Sequence, residues 1–189
     1  MDNRLKILNH LGKNIGREFT MHELSKATKI PYATFYRTVK LMDELVVLRS
    51  VGKATTMAIN TENTSLKAYL TIASEEERKE FLKKKRIISK IASEISTNDT
   101  VLLFGSYAKG AERDESDIDL LIINKDGKRT LSFAKQETLF KKKINPIFIT
   151  PTEFTLMLQE KEENVGKQAL KNHIILKNPE KFWEMVLSG

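Results

Sequence analysis

The fold turns on residues 104–122, FGSYAKGAERDESDIDLLI. A short apolar strand over 100–104 runs directly into Gly105-Ser106, after which 107–110 begins a short helix. A polar loop over 111–116 then leads to Asp117-Ile118-Asp119 and the apolar run 120–123. Side chains two apart on a strand share a face. Asp117 and Asp119 therefore set two carboxylates side by side, while Ile118 and Leu120 turn to the core.

Such a pair is electrostatically awkward on its own, since two carboxylates about 5 Å apart repel by roughly 3 kcal/mol at an effective dielectric near 20. A magnesium ion removes that repulsion, because its hard coordination suits carboxylates together with the phosphates of a substrate. Gly105 lets the backbone approach a triphosphate, and Ser106 offers a hydroxyl and a backbone N–H at a helix start. A lone Asp-x-Asp is by default a solvated strand end; here the glycines, serines and flanking strands agree with one another.

The whole string resembles the signature of the DNA polymerase β-like nucleotidyltransferases, above all the small minimal ones, in which Gly-Ser is followed, after a polar loop, by Asp-x-Asp on the next strand. Gly105, Ser106, Gly110, Ser116, Asp117, Asp119 and Leu120 match in register, and the similarity covers about residues 80–160. The resemblance implies that Gly105, Ser106 and Lys109 hold the nucleotide phosphates. It also implies that Asp117 and Asp119 are the catalytic pair and the ligands of two Mg²⁺ ions in the NTP complex, which activate an acceptor hydroxyl and steady the leaving pyrophosphate. No nucleophile on the enzyme is required.

Enzymes of this kind usually bring a third acid from a later strand. The candidate strand is 144–149, and the expected position holds Asn145. Asparagine adds no negative charge and cannot serve as a base. Losing a general base typically slows a reaction about 10²–10⁴-fold. The segment INPIFITPTEF, residues 144–154, also resembles nucleotidyltransferase domains fused to winged helices, so Asn-Pro belongs to that architecture rather than to accident. Glu153 offers a substitute base, but its place at a helix start favours a role in the charge of the helix N-terminus.

Towards the N-terminus, Leu5, Ile7, Leu8 and Leu11 recur at helical spacing. Thr20-Met21-His22-Glu23 reads as a capping box opening a second helix over 21–29, Ile30-Pro31 forms a turn, and a third helix is expected over 32–45 with Phe35, Val39 and Met42 inward. Two strands, 46–51 and 55–59, meet at Gly52-Lys53. Three helices and a hairpin over residues 1 to about 60 resemble winged helix-turn-helix domains, although Val46 stands where those domains usually place glycine. The resemblance implies that the third helix enters the major groove with Thr34, Tyr36, Arg37 and Lys40 facing bases or phosphates, and that Lys53 meets a backbone phosphate. The other reading is a docking or dimerisation module with a solvated polar face.

Between the two lies Ser74-Glu75-Glu76-Glu77, which reads as a second capping box, followed by Phe81, Ile88, Ile91 and Ile95 on one helical face. The basic run 83–86 reads as a solvated helix face, with DNA contact as the alternative. Beyond the third-acid strand, which follows a helix over about 131–141, come a helix to about 162, a polar stretch around Gly166, an apolar piece 174–176 and a last helix opened by Asn178-Pro179. Trp183 reads as core and His173 receives no role.

The 189 residues suffice for two small domains, and the 40% apolar fraction suffices for their cores. The formal charge is +7, of which residues 1–73 carry +5 and the longer remainder +2, so the smaller front part is the more basic, as a module that meets a polyanion would be. The absence of cysteine excludes disulfides, thiol catalysis and thiolate zinc, and the longest apolar runs fall well short of the roughly 18–20 residues that span a bilayer.

The expected fold is therefore α+β/α/β in two domains. A winged helix-turn-helix DNA-binding domain covers 1–70, and a nucleotidyltransferase domain with a short mixed β-sheet flanked by helices covers 74–189. The expected setting is cytoplasmic with no membrane partner. The expected partners are an NTP, DNA and a protein acceptor, with a homodimer as a further expectation. Three functions compete: a Mg²⁺-dependent nucleotidyltransferase, a transcriptional regulator whose degenerate domain binds a nucleotide as effector, and an antitoxin of the kind that modifies a HEPN-type toxin.

Overall fold

The computed structural model describes residues 1–52 and 54–188, and the chain separates into two compact units, Met1–Glu76 and Glu77–Gly189. The front unit holds helices α1 (Asn3–Gly12), α2 (Met21–Thr28) and α3 (Tyr32–Val39), with strands β1 (Phe19–Thr20), β2 (Val46–Val51) and β3 (Ala54–Ile59). The strands form an antiparallel sheet in the order β1-β3-β2. Asp2 caps α1 by accepting from the Leu5 N–H at 2.9 Å. At α2 the capping box closes in both directions, Thr20 Oγ1 accepting from Glu23 N–H and Glu23 Oε2 accepting from Thr20 N–H. Ile7, Leu8, Leu11, Leu24, Phe35, Val39, Met42 and Met57 are almost completely buried and form this unit's core.

Three expectations need correction here. The third helix stops at Val39, and residues 40–45 continue as tight turns, with Met42 N–H donating to the Val39 carbonyl and Leu45 N–H to that of Met42. β-Branched Thr38 and Val39 stiffen the end of the helix, and Met42 and Leu45 reach the core through the tighter turns instead of another helical turn. Ser74 is not a cap. It lies buried inside α4 (Leu66–Lys84), a helix started earlier by Leu66, Leu70 and Ala73 at helical spacing. Inside a running helix the backbone N–H groups already have carbonyl partners, so a Ser-x-x-Glu string has nothing to cap. The helical face that continues past it is also broken, since Lys85 (φ −116°, ψ 81°) separates α4 from α5 (Arg86–Glu94).

The back unit continues with β4 (Thr100–Phe104), α6 (Gly105–Lys109), β5 (Ile118–Ile123), α7 (Ala134–Phe140), β6 (Ile144–Ile149), α8 (Pro151–Gln159), α9 (Val165–Lys171), β7 (Ile174–Lys177) and α10 (Pro179–Ser188). Its sheet runs β6-β5-β4-β7, with β5 and β6 parallel and the other two pairings antiparallel, so it is mixed. On β5 the alternation is strict. Ile118, Leu120 and Ile122 join Ile88 and Ile91 of α5 in one core, each such side chain contributing about 1.5–3 kcal/mol by leaving water. Asp119 and Leu121 point to the opposite face of the sheet. Pro146 falls on the edge strand β6, where its missing N–H breaks no central ladder. Among the described residues no helix is long and apolar enough to cross a membrane.

Candidate functional site

β4 delivers Gly105 at the end of the strand, and Gly105 takes φ +69°, a conformation open to glycine and costly for other residues. The reason for glycine is also spatial. A Cβ there would collide with the carboxylate of Asp119, whose Cγ would lie 3.1 Å away. Register accounts for the approach, since Phe104 at the end of β4 lies directly opposite Asp119 on β5. The turn and the carboxylate are thus in contact. Ser106, next on α6, is partly exposed and its hydroxyl has no hydrogen-bond partner among the described residues. Phe104, the residue capping α6, supplies no side-chain hydrogen bond to the first-turn N–H groups.

Asp117 immediately precedes β5, and Asp119 is its second residue. β6 runs parallel beside them and pairs Asn145 with Asp119. Asn145 Nδ2 donates to Asp117 Oδ2 at 3.0 Å and to Asp119 Oδ1 at 3.3 Å, so one oxygen from each carboxylate converges on a single amide. The position expected to carry a third acid therefore faces the pair, with a donor where an acceptor was anticipated.

Lys143 is a site residue that the sequence reading missed. Its Nζ lies 3.6 Å from Asp117 Oδ2, with the lysine side chain 69% and the aspartate side chain 38% exposed. An ion pair so open to water is worth about 0–1 kcal/mol. The placement comes from the strand register, in which Ile118 lies opposite Ile144 and its N–H donates to the Lys143 carbonyl. In sequence Lys143 is only the last member of a basic triplet.

The other two candidates differ in placement. Lys109 sits exposed at the end of the five-residue α6, one turn on from Gly105-Ser106, and makes no hydrogen bond or ion pair among the described residues. Glu153 belongs to the α8 cap, where its Oε2 accepts from both the N–H and the hydroxyl of Thr150. Those bonds hold its pKa below the ordinary value. It follows the far end of β6, four residues of strand beyond Asn145, about 13 Å at 3.3 Å per residue. It is a helix-cap residue and not a substitute base. Among the described residues no three His, Cys, Asp or Glu side chains are clustered to hold a metal.

In the front unit Tyr36, Arg37 and Lys40 of the α3 face are exposed and Thr34 is partly so. Lys40 Nζ lies 4.9 Å from the centre of the Tyr36 ring, and Arg37 Nε donates to the Ala33 carbonyl at 3.3 Å. Tyr32, Tyr36 and Lys40 border a cavity of about 410 Å³ together with His22 and Leu48. Lys53, expected at the hairpin tip, lies outside the described residues.

The back unit thus combines a mixed sheet flanked by helices, a Gly-Ser turn at the end of one strand and paired aspartates at its neighbour. The family model for the nucleotidyltransferase domain matches residues 84–183, more than half of the chain, and the chain belongs to that family. Membership carries the general function of nucleotidyl transfer, with a nucleoside triphosphate as substrate. No curated protein and no solved structure matches the chain.

Proposed function

We propose that the back unit transfers a nucleoside monophosphate from an NTP to an acceptor hydroxyl in a Mg²⁺-dependent reaction, and that the front unit is a winged helix that binds DNA. The observation that carries the first part is the convergence of Asp117 and Asp119 on one point against the Gly105-Ser106 turn. Two carboxylates beside a turn open to phosphates are a donor set that fits a magnesium ion, which binds through one or two carboxylates plus substrate oxygens. When bound it supplies charge neutralisation for the triphosphate and the leaving pyrophosphate. The chain's own part is positioning. Gly105 brings the backbone close, the unpaired Ser106 hydroxyl donates to a phosphate oxygen, and Asp117 and Asp119 fix the metal-bound end of the nucleotide. The DNA part draws its support from the helical order α1-α2-α3, the hairpin β2-β3 and the exposed face of α3.

A second reading, a nucleotide-sensing transcriptional regulator, is favoured by Asn145, which leaves the acceptor without its usual proton sink. Incubating the full chain with each labelled NTP and Mg²⁺, scoring binding and pyrophosphate release separately, distinguishes the two. We expect Mg²⁺-dependent binding in the low-to-middle micromolar range, about −7 to −8 kcal/mol. Asp117→Ala with Asp119→Ala should abolish the metal-dependent part. Equal NTP affinity in wild type and double variant, read by calorimetry, would rule out this site.

A further inference from the structure

The replacement of a third acid by Asn145 changes what the site requires of a metal. Three carboxylates facing one another would carry three negative charges and no donor. Here Asp117 and Asp119 supply two negative charges, the third position is neutral, and Lys143 places a positive charge 3.6 Å from Asp117 Oδ2. The orientation of the Asn145 amide follows from electrostatics. Turned the other way, its carbonyl oxygen would face two carboxylate oxygens with no proton between them. With Nδ2 inward at 3.0 and 3.3 Å, it holds both carboxylates together without any ion. Two divalent ions in a two-metal site stand about 3.5–4 Å apart and need anionic ligands between and around them. A cluster with two carboxylates, a bridging amide N–H₂ and an ammonium has too little negative charge for that.

We infer that this site takes a single divalent cation, the one that accompanies the triphosphate, and that Asn145 with Lys143 occupies the electrostatic role of the second. The inference rests on the reading of the Asp117–Asp119 pair as the nucleotide site. Asn145 is then a positioning residue, and a distinct metal stoichiometry is its signature. A single cation bound mainly through phosphate also means that the protein without nucleotide holds metal weakly.

The test uses Mn²⁺ as the probe on the full chain, following free ion by electron paramagnetic resonance. One arm has metal alone, and the other adds saturating α,β-methylene analogue of each of the four NTPs in turn. Wild type should hold one Mn²⁺ per bound analogue, and Asn145→Asp two, with the line broadening of two neighbouring spins. In the metal-alone arm Asn145→Asp should bind at least tenfold tighter than wild type. Two ions in the wild type, or one in Asn145→Asp, overturns the inference.

Should no analogue bind, or should Asp117→Ala with Asp119→Ala retain it, the nucleotide reading falls. This inference then falls with it, whereas two Mn²⁺ per analogue bound through the aspartates overturns the inference alone, as do equal metal-alone affinities in wild type and Asn145→Asp. If Asn145→Asp fails to fold, Lys143→Ala takes its place in the metal-alone arm. Tighter Mn²⁺ binding then shows that the ammonium opposes a cation at the pair, and the wild-type count of ions per bound analogue decides the inference, one upholding it and two overturning it.

Discussion

A single methyl group at residue 105 would do two kinds of damage. Gly105 adopts φ +69°, where an L side chain costs about 1–3 kcal/mol, and the added Cβ would meet the Asp119 carboxylate rather than open space. Gly110, at nearly the same φ, has nothing within 4 Å of the equivalent position. Gly105→Ala should therefore destabilise the back unit and also displace Asp119, whereas Gly110→Ala should show the conformational cost alone. Thermal melts with and without NTP and Mg²⁺ check this, since only Gly105→Ala should also lose the nucleotide-induced rise in melting temperature. Equal nucleotide stabilisation in both variants would remove Gly105 from the site. At this scale the sequence was readable where spacing within one strand or one turn decides the geometry, as for Asp117, Asp119 and Gly105. It was not readable for Lys143 or for the direction of the Asn145 amide, because both depend on the register between β5 and β6, which pair in parallel across a helical crossover.

Elements were legible where a local signal and a tertiary role agree. Thr20 and Thr150 open helices whose capping boxes close in both directions, and each precedes a run that buries apolar side chains. The string at Ser74 has the same letters and no such role, because the burial of Leu66, Leu70 and Ala73 sets the helix start earlier. β1 and α9 escaped notice since two residues of strand and seven of polar helix are too short to display a period. One element carries a pH signature. His10, in the last turn of α1 with its ring edge-on to Phe19 at 5.4 Å, has its pKa lowered from 6.5, first by burial and then by Lys13 and Arg17. The native state thus favours neutral imidazole, while the unfolded chain protonates near 6.5. The stability this gives is complete above that pH and is lost as pH falls through the lowered value. Thermal unfolding of the full chain from about pH 7.5 to about pH 5.5 should show a falling midpoint whose slope shrinks in His10→Gln. A slope unchanged in the variant would assign the pH dependence to other groups.

For the whole molecule the question is whether the two units act on separate partners or on each other. Residues 1–73 carry a net +5, and neutralising phosphates releases counterions, so DNA affinity should fall steeply with salt. Replacing Arg37 and Lys40 by alanine should weaken binding and flatten the logarithmic salt slope by about one to two units. An unchanged slope in fluorescence anisotropy would make the front unit a protein-docking module. The nucleotide then distinguishes transferase from sensor without any need to identify the acceptor. A sensor must bind NTP differently in its DNA-bound and free states, and linkage requires the effect to be reciprocal. If saturating NTP changes DNA affinity by some factor, saturating DNA changes NTP affinity by the same factor, typically about 5–150-fold. A transferase whose DNA-binding unit serves only to localise it has no such requirement, and its two affinities should be independent. Asn145, hydrogen-bonded to both aspartates, is the observation on the sensor's side, because such a site can receive a nucleotide while lacking the acid that would hasten its use, whereas membership of the nucleotidyltransferase family is on the transferase's. The proposed transferase is therefore expected to show DNA affinity indifferent to NTP, together with pyrophosphate release on addition of a cell extract as the acceptor source. Reciprocal coupling in wild type, absent in Asp117→Ala with Asp119→Ala, and no pyrophosphate release would make the chain a nucleotide-sensing regulator instead.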